Sequence, residues 1–151
     1  MEVAPSLWNG GASDPVVTWA QNTPMNYQST IVNNATSPET ATATAIGWGY
    51  RNTRAIVLQG NSDTATSAAA LADSHTVTVE GVVFDDWYLP SSSELDQVNL
   101  RRSVIGITAN RYWSSTERPG VANNAWSFFI TSSGSWGNKN TLNYVRPIRA
   151  F

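Results

Sequence analysis

The chain has 151 residues, the size of one domain, with 9 Lys+Arg against 11 Asp+Glu and a formal net charge of −2. Only 13% of its residues are charged, and 17 Ser, 16 Thr and 14 Asn carry the polarity instead. This excludes several classes: there is no basic run to neutralise duplex phosphates, no apolar stretch long enough to span a bilayer, no Cys for disulfides, thiolate zinc sites or nucleophiles, and one His only.

Met1-Glu2-Val3-Ala4-Pro5-Ser6 has neither a basic n-region nor an apolar h-region, so no signal peptide is expected there. Residues 1–45 are expected to form an irregular, extended N-terminal segment packed on the domain formed by residues 46–151. Asn9-Gly10-Gly11 and Asp14-Pro15 signal turns, and Val16, Val17 and Trp19 a short strand. Pro24, Pro38 and the Thr/Ala alternation from Thr40 to Thr44 specify neither helix nor strand. Asn34-Ala35-Thr36 matches a glycosylation sequon, for which chance is the better account in so Asn- and Thr-rich a chain. Ile46-Gly47-Trp48-Gly49-Tyr50 is a glycine-punctuated aromatic segment, and Asn52 is placed to cap a short helix running to Leu58. Gly60-Asn61 makes a break. Thr64 to Asp73 reads as an Ala-rich helix and His75 to Val79 as a strand, with His75 itself expected at the surface.

The clearest helix start is Leu89-Pro90-Ser91-Ser92-Ser93-Glu94-Leu95. Ser91 and Glu94 have the spacing of a capping box, in which hydroxyl and carboxylate each satisfy the other residue's backbone N–H. The helix is expected to end near Arg101-Arg102, where cations suit its negative end. The last third reads as β: a strand at Tyr112–Thr116, alternation from Ala125 to Thr131, a turn at Ser133-Gly134, a return strand from Ser135 to Asn140, and a terminal strand from Tyr144 to Phe151 with Pro147 on an edge or at its end. Helices in the middle and hairpins at the end indicate an α+β fold.

No nucleophile elbow, phosphate loop or dinucleotide fingerprint is present. Asp85 and Asp86 are adjacent, and on a strand they would face opposite ways; Glu94 is explained by capping, and Glu117-Arg118 reads as a surface pair. These residues build no catalytic constellation, so no enzymatic activity, metal or cofactor is expected. Amides, hydroxyls and flat aromatic faces are instead the groups that recognise sugars and protein surfaces. They concentrate in the last third of the chain. Trp113 and Trp126 are expected in the core, while Arg118, Asn123, Asn124, Trp136, Asn138, Lys139 and Asn140, at loops or hairpin ends, are the candidate ligand-binding residues.

Three motifs in order carry a family resemblance: Asp85-Asp86-Trp87-Tyr88-Leu89-Pro90-Ser91 with Glu94-Leu95, then Tyr112-Trp113-Ser114-Ser115-Thr116-Glu117, then Val145-Arg146-Pro147-Ile148-Arg149. Together with Ile46–Tyr50 they resemble the DUF1566 family, named for the C-terminal domain of a Legionella collagen-like adhesin and also found in phage proteins. The resemblance covers residues 46–151. It implies a C-type-lectin-like fold with two short helices and a hairpin-rich antiparallel C-terminal sheet. It also implies display at the tip of an adhesin or phage tail fibre, extracellular or on the virion surface, often as a homotrimer binding a cell-surface glycan or protein receptor, with a C-terminal ligand surface that is diversified in some phage proteins. A polyanionic ligand does not fit a net charge of −2, and the Glu-Pro-Asn and Gln-Pro-Asp calcium motifs of sugar-binding lectins are absent. Within the motifs, Trp87 and Leu89 are expected under the capped helix, Tyr112 and Trp113 in the core, and Arg146 and Arg149 on Asp85 or Asp86. The alternative is a virion decoration or fibre-assembly domain with no ligand of its own.

Overall fold

A computed structural model describes residues 1–20, 41–58 and 67–150. The sequon at Asn34, the prolines at 24 and 38, the break at Gly60-Asn61 and residues 64–66 lie outside the described residues. In chain order the described elements are β1 (Glu2–Val3), β2 (Val16–Val17), α1 (Gly49–Leu58), α2 (Ala68–Asp73), β3 (Val77–Val79), β4 (Val82–Phe84), α3 (Ser92–Leu100), α4 (Arg102–Ile105), β5 (Arg111–Glu117), β6 (Asn124–Phe129), β7 (Gly134–Asn138), β8 (Asn143–Tyr144) and β9 (Ile148–Arg149). The molecule is a mixed helix and sheet fold. A five-stranded sheet has the order β2-β8-β5-β6-β7, and two two-stranded sheets pair β1 with β9 and β3 with β4. All pairings are antiparallel except that of β5 with β8.

The central strand β5 is buried on both faces, and its neighbouring residues point to opposite sides of the sheet. Trp113 and Ala125 join Trp19, Ala55, Ile56, Leu89 and Val145 in one apolar cluster, on the side of α1 and α2. Tyr112 and Phe128 join Leu95, Val98, Ile107, Ile130 and Ile148 in a second, on the side of α3. The Ala-rich run does more than favour helix: Ala68, Ala69 and Ala72 are fully buried, and small side chains let α2 lie close against its neighbours.

The capping box forms as expected. The Glu94 N–H donates to Ser91 Oγ at 3.3 Å and the Ser91 N–H to Glu94 Oε2 at 2.8 Å. Glu94 also accepts the Gly47 N–H at 2.9 Å, so the helix cap holds the Ile46–Tyr50 segment as well. Several expectations are corrected. Asn52 does not cap α1, which already starts at Gly49; its side chain is buried and donates to the Ala43 carbonyl at 2.7 Å. α3 does end where expected, at Leu100 with Arg101 as its C-terminal cap, but Arg102 then opens a second short helix that ends on Gly106 in the left-handed region, φ 63°. The terminal strand is cut at Pro147, which has no N–H to donate: β8 pairs with β2 and β5, and β9 with β1. His75 is half-buried between the indoles of Trp8 and Trp87, with ring centroids 4.9 Å away on each side, and burial lowers its pKa.

The charged side chains of the motifs are structural. Arg149 reaches Asp86, at 3.5 Å, and Glu2, at 3.0 Å. Arg146 does not: it turns inward and donates to Asp14 Oδ2 from Nε at 2.9 Å and Nη2 at 2.7 Å. Glu117 is not a surface partner of Arg118 but a fully buried carboxylate paired with Lys139.

Candidate functional site

The hairpin β6–β7 places the candidate residues by register. Asn124 faces Asn138, Trp126 faces Trp136 and Phe128 faces Gly134. Because alternate residues share a face, these three pairs form one strip. Its Phe128 end is buried in the second core cluster, and its other end emerges half-exposed at Trp126, Trp136, Asn124 and Asn138. Arg118 extends the strip across β5: its N–H donates to the Asn124 carbonyl at 2.9 Å, and its guanidinium lies over the Trp136 ring at 5.8 Å. The Trp126 and Trp136 rings meet edge to face, centroids 4.9 Å apart at 74°. The result is a row of guanidinium, indole and indole, bordered by amides.

Gly134 explains why Trp126 can lie so low. It is not a turn residue but the first residue of β7, and a Cβ there would stand 2.2 Å from Trp126 Cζ2. Only a hydrogen at that position leaves room for the indole over the strand. The Trp126 Nε1–H is buried without an acceptor.

The other candidates divide. Asn123 is half-buried in the turn joining β5 to β6, where its carbonyl accepts the Lys139 N–H at 2.8 Å. Asn138 bends back on the chain, its Oδ1 accepting the Asn140 N–H at 3.2 Å, and Asn140 is exposed beyond it. Lys139 is a correction. It directly follows Asn138 of the strip, and its side chain points to the opposite face. There its ammonium is fully buried, paired with Glu117 and 4.6 Å from the centre of the Trp19 ring. Burial lowers its pKa while Glu117 opposes the shift.

Trp126, expected in the core, belongs to the strip, and Gly134 was not a candidate at all. The signal for Trp126 was the pairing a hairpin turn imposes on Trp126 and Trp136. The side chains of the strip stack and hydrogen-bond; none is a nucleophile or a general acid at neutral pH. Among the described residues no three His, Asp or Glu side chains come together in a group that could hold a metal ion, and no helix is long and apolar enough to cross a membrane. No protein-family model matches this chain, and no curated protein matches it.

Proposed function

We propose that this chain is a non-enzymatic binding domain that recognises a cell-surface glycan or protein receptor, using the strip of Arg118, Trp136, Trp126, Asn124 and Asn138 with Asn123 and Asn140 at its edge. The observation that carries the proposal is the half-exposed pair of indoles set on a rigid antiparallel hairpin and flanked by four amides. Indole faces attract the C–H faces of sugars and the apolar parts of peptides, and Asn supplies both donor and acceptor to ring hydroxyls or backbone groups. Apart from the Arg118 guanidinium, these groups are uncharged, and recognition rests on stacking and amide hydrogen bonds rather than on a charged patch.

The resemblance of residues 46–151 to the adhesin-type DUF1566 domains supports display on a phage fibre or secreted adhesin, as a homotrimer with a C-type-lectin-like fold. At fold level this reading is supported by the antiparallel β5–β6–β7 arrangement at the C-terminal end and by α3 packed on it. The test is a glycan array with the purified protein at low and physiological salt. The proposal predicts binding to a defined sugar class that persists at physiological salt, because hydrogen bonding and stacking are weakly screened. Signal confined to low salt, with no protein receptor recovered by pull-down, contradicts it.

A further inference from the structure

Residues 5–13 form a loop held at its two ends, by β1 paired with β9 and by β2 paired with β8. Trp8 is the only one of them that is not exposed. Among the described residues two hydrogen bonds join this loop to the rest of the fold. The Trp8 indole Nε1–H donates to the Val145 carbonyl at 3.1 Å, and the Ser6 hydroxyl, at the surface, to the Gly106 carbonyl at 3.3 Å. Beside the indole, Leu7 stands at a φ of 64°, which such a side chain keeps only where its surroundings hold it there. The loop is a strained segment held down mainly by one indole.

Trp8 is seated against His75, whose other side meets the buried indole of Trp87. His75 is the only histidine, and with no Cys in the chain it is the one side chain whose ordinary pKa lies between roughly pH 5 and 8. Its Nε2 is buried with no hydrogen-bond partner among the described residues. A protonated ring would hold an N–H there without an acceptor, and a charge where water is excluded. Indole faces attract a cation, but burial lowers the pKa of His75 from the ordinary 6.5. The charged groups of the surrounding elements are engaged elsewhere: Asp73 of α2 with Arg54 of α1 at 3.0 Å, and Arg149 of β9, 5.8 Å from the Trp87 ring, with Glu2 and Asp86. Glu80 and Asp85, at the turn and the exit of the β3–β4 hairpin, are exposed. None of them contributes to the shift, which burial alone causes.

We propose that residues 5–13 are an acid-operated latch, in which protonation of His75 unseats Trp8 and lets the loop swing away from the body. Trp87 is fixed in the interior, so a charged imidazole gains water by parting from Trp8, the more exposed of its two indoles. Release of Trp8 breaks its bond to Val145, lets Leu7 relax and uncovers the first core cluster, on which Trp8 packs. Val145 follows β8, three strands from β7 in the sheet, and the inference does not rest on the Trp126–Trp136 strip.

Proton linkage sets the sign and the size. The closed loop lowers the pKa of His75, so the open loop binds the proton more readily. Opening should be level above pH 6.5 and rise about tenfold for each pH unit below it, until the closed form also takes up the proton. NMR of the native chain from pH 7.5 to 4.5 tests this. The His75 ring should titrate with a midpoint below 6.5. Over the same interval the exchange protection of the Trp8 indole N–H should fall by about tenfold or more, while the buried Trp19 and Trp113 indoles keep theirs. In His75→Phe, a ring that takes no proton, and in His75→Gln, Trp8 protection should not depend on pH. The proposal is overturned if the His75 midpoint is 6.5 or higher, if Trp8 stays protected while His75 titrates, if the fall persists in either folded variant, or if all indoles lose protection together.

Discussion

Lys139 and Glu117 show how a single side chain can be assigned to the wrong face. Lysine is almost never fully buried unless paired, and a Lys between two Asn in a hairpin end reads as solvent-exposed. Its place just past β7 decides otherwise: the Lys139 N–H donates to the Asn123 carbonyl and continues the hairpin by one residue, which turns the side chain away from the face of residues 136 and 138 and into the core. Replacing it by Met removes the ammonium that balances a buried carboxylate, and a loss of about 3–5 kcal/mol of stability is expected. Lys139→Met combined with Glu117→Gln should recover part of that loss, which urea unfolding of the two single variants and the pair measures. Tyr112 gives a pH prediction. Burial first, and then the charge and hydrogen bond of Asp14, push its phenol up from 10.0 to about 12, against the Thr108 hydrogen bond and, more weakly, Arg146, which pull it down. An acid whose folded pKa is raised contributes no pH dependence below its unfolded value, and its stabilisation is lost as pH rises past it. Unfolding free energy should thus fall between pH 10 and 12 by up to about 1.4 kcal/mol per unit from this group. The absorbance of tyrosinate should appear together with loss of structure; full titration of every Tyr in folded protein near pH 10 would contradict the account.

At the scale of elements, the α3 cap joins local and distant structure. Ser91→Ala should cost about 1 kcal/mol, the usual worth of a helix cap. Gly49→Ala is more severe although it adds a better helix former: a Cβ there would stand 2.3 Å from Glu94 Oε2 and 2.8 Å from both the Ser91 N and the Tyr88 ring. A markedly lower Tm for Gly49→Ala than for Ser91→Ala is expected in thermal unfolding. The capping box was legible in the sequence because its partners are three residues apart. The β6–β7 hairpin was legible because alternation is local. What was hidden depended on neighbours distant in the chain. Gly49 and Gly134 read as punctuation, yet each is required where a side chain from elsewhere crosses the backbone. Strand β4 was missed after Glu80-Gly81, although both residues take positive φ, 51° and 82°, in a two-residue turn that reverses the chain. Helix α4, at four residues, is too short for any periodicity.

Across the whole molecule, the N-terminal 20 residues are part of the core. Asp14 and Arg146 are 132 positions apart in sequence, Trp19 donates from Nε1 to the Ser114 carbonyl at 2.7 Å, and the Trp113 indole donates to the Val17 carbonyl at 3.0 Å. Strands β1 and β2 pair with β9 and β8. Composition described this segment as irregular because its strands are two residues long and their partners lie at the other end of the chain. Removing residues 1–20 should abolish cooperative unfolding and the near-ultraviolet circular dichroism of the buried indoles, since it leaves Arg146 buried without its carboxylate and opens the first core cluster. This frame carries a half-exposed aromatic strip on a rigid hairpin, and the central claim is that the strip binds rather than merely packs. The most direct measurement compares receptor or glycan binding and Tm for the native chain, Trp136→Ala, and the double variant Asn123→Ala/Asn124→Ala. The account predicts binding weakened by about tenfold or more, about 1.4 kcal/mol, with Tm lowered by no more than about 2–4 °C. Unchanged binding, or a loss of binding matched by an equal loss of stability, would contradict it.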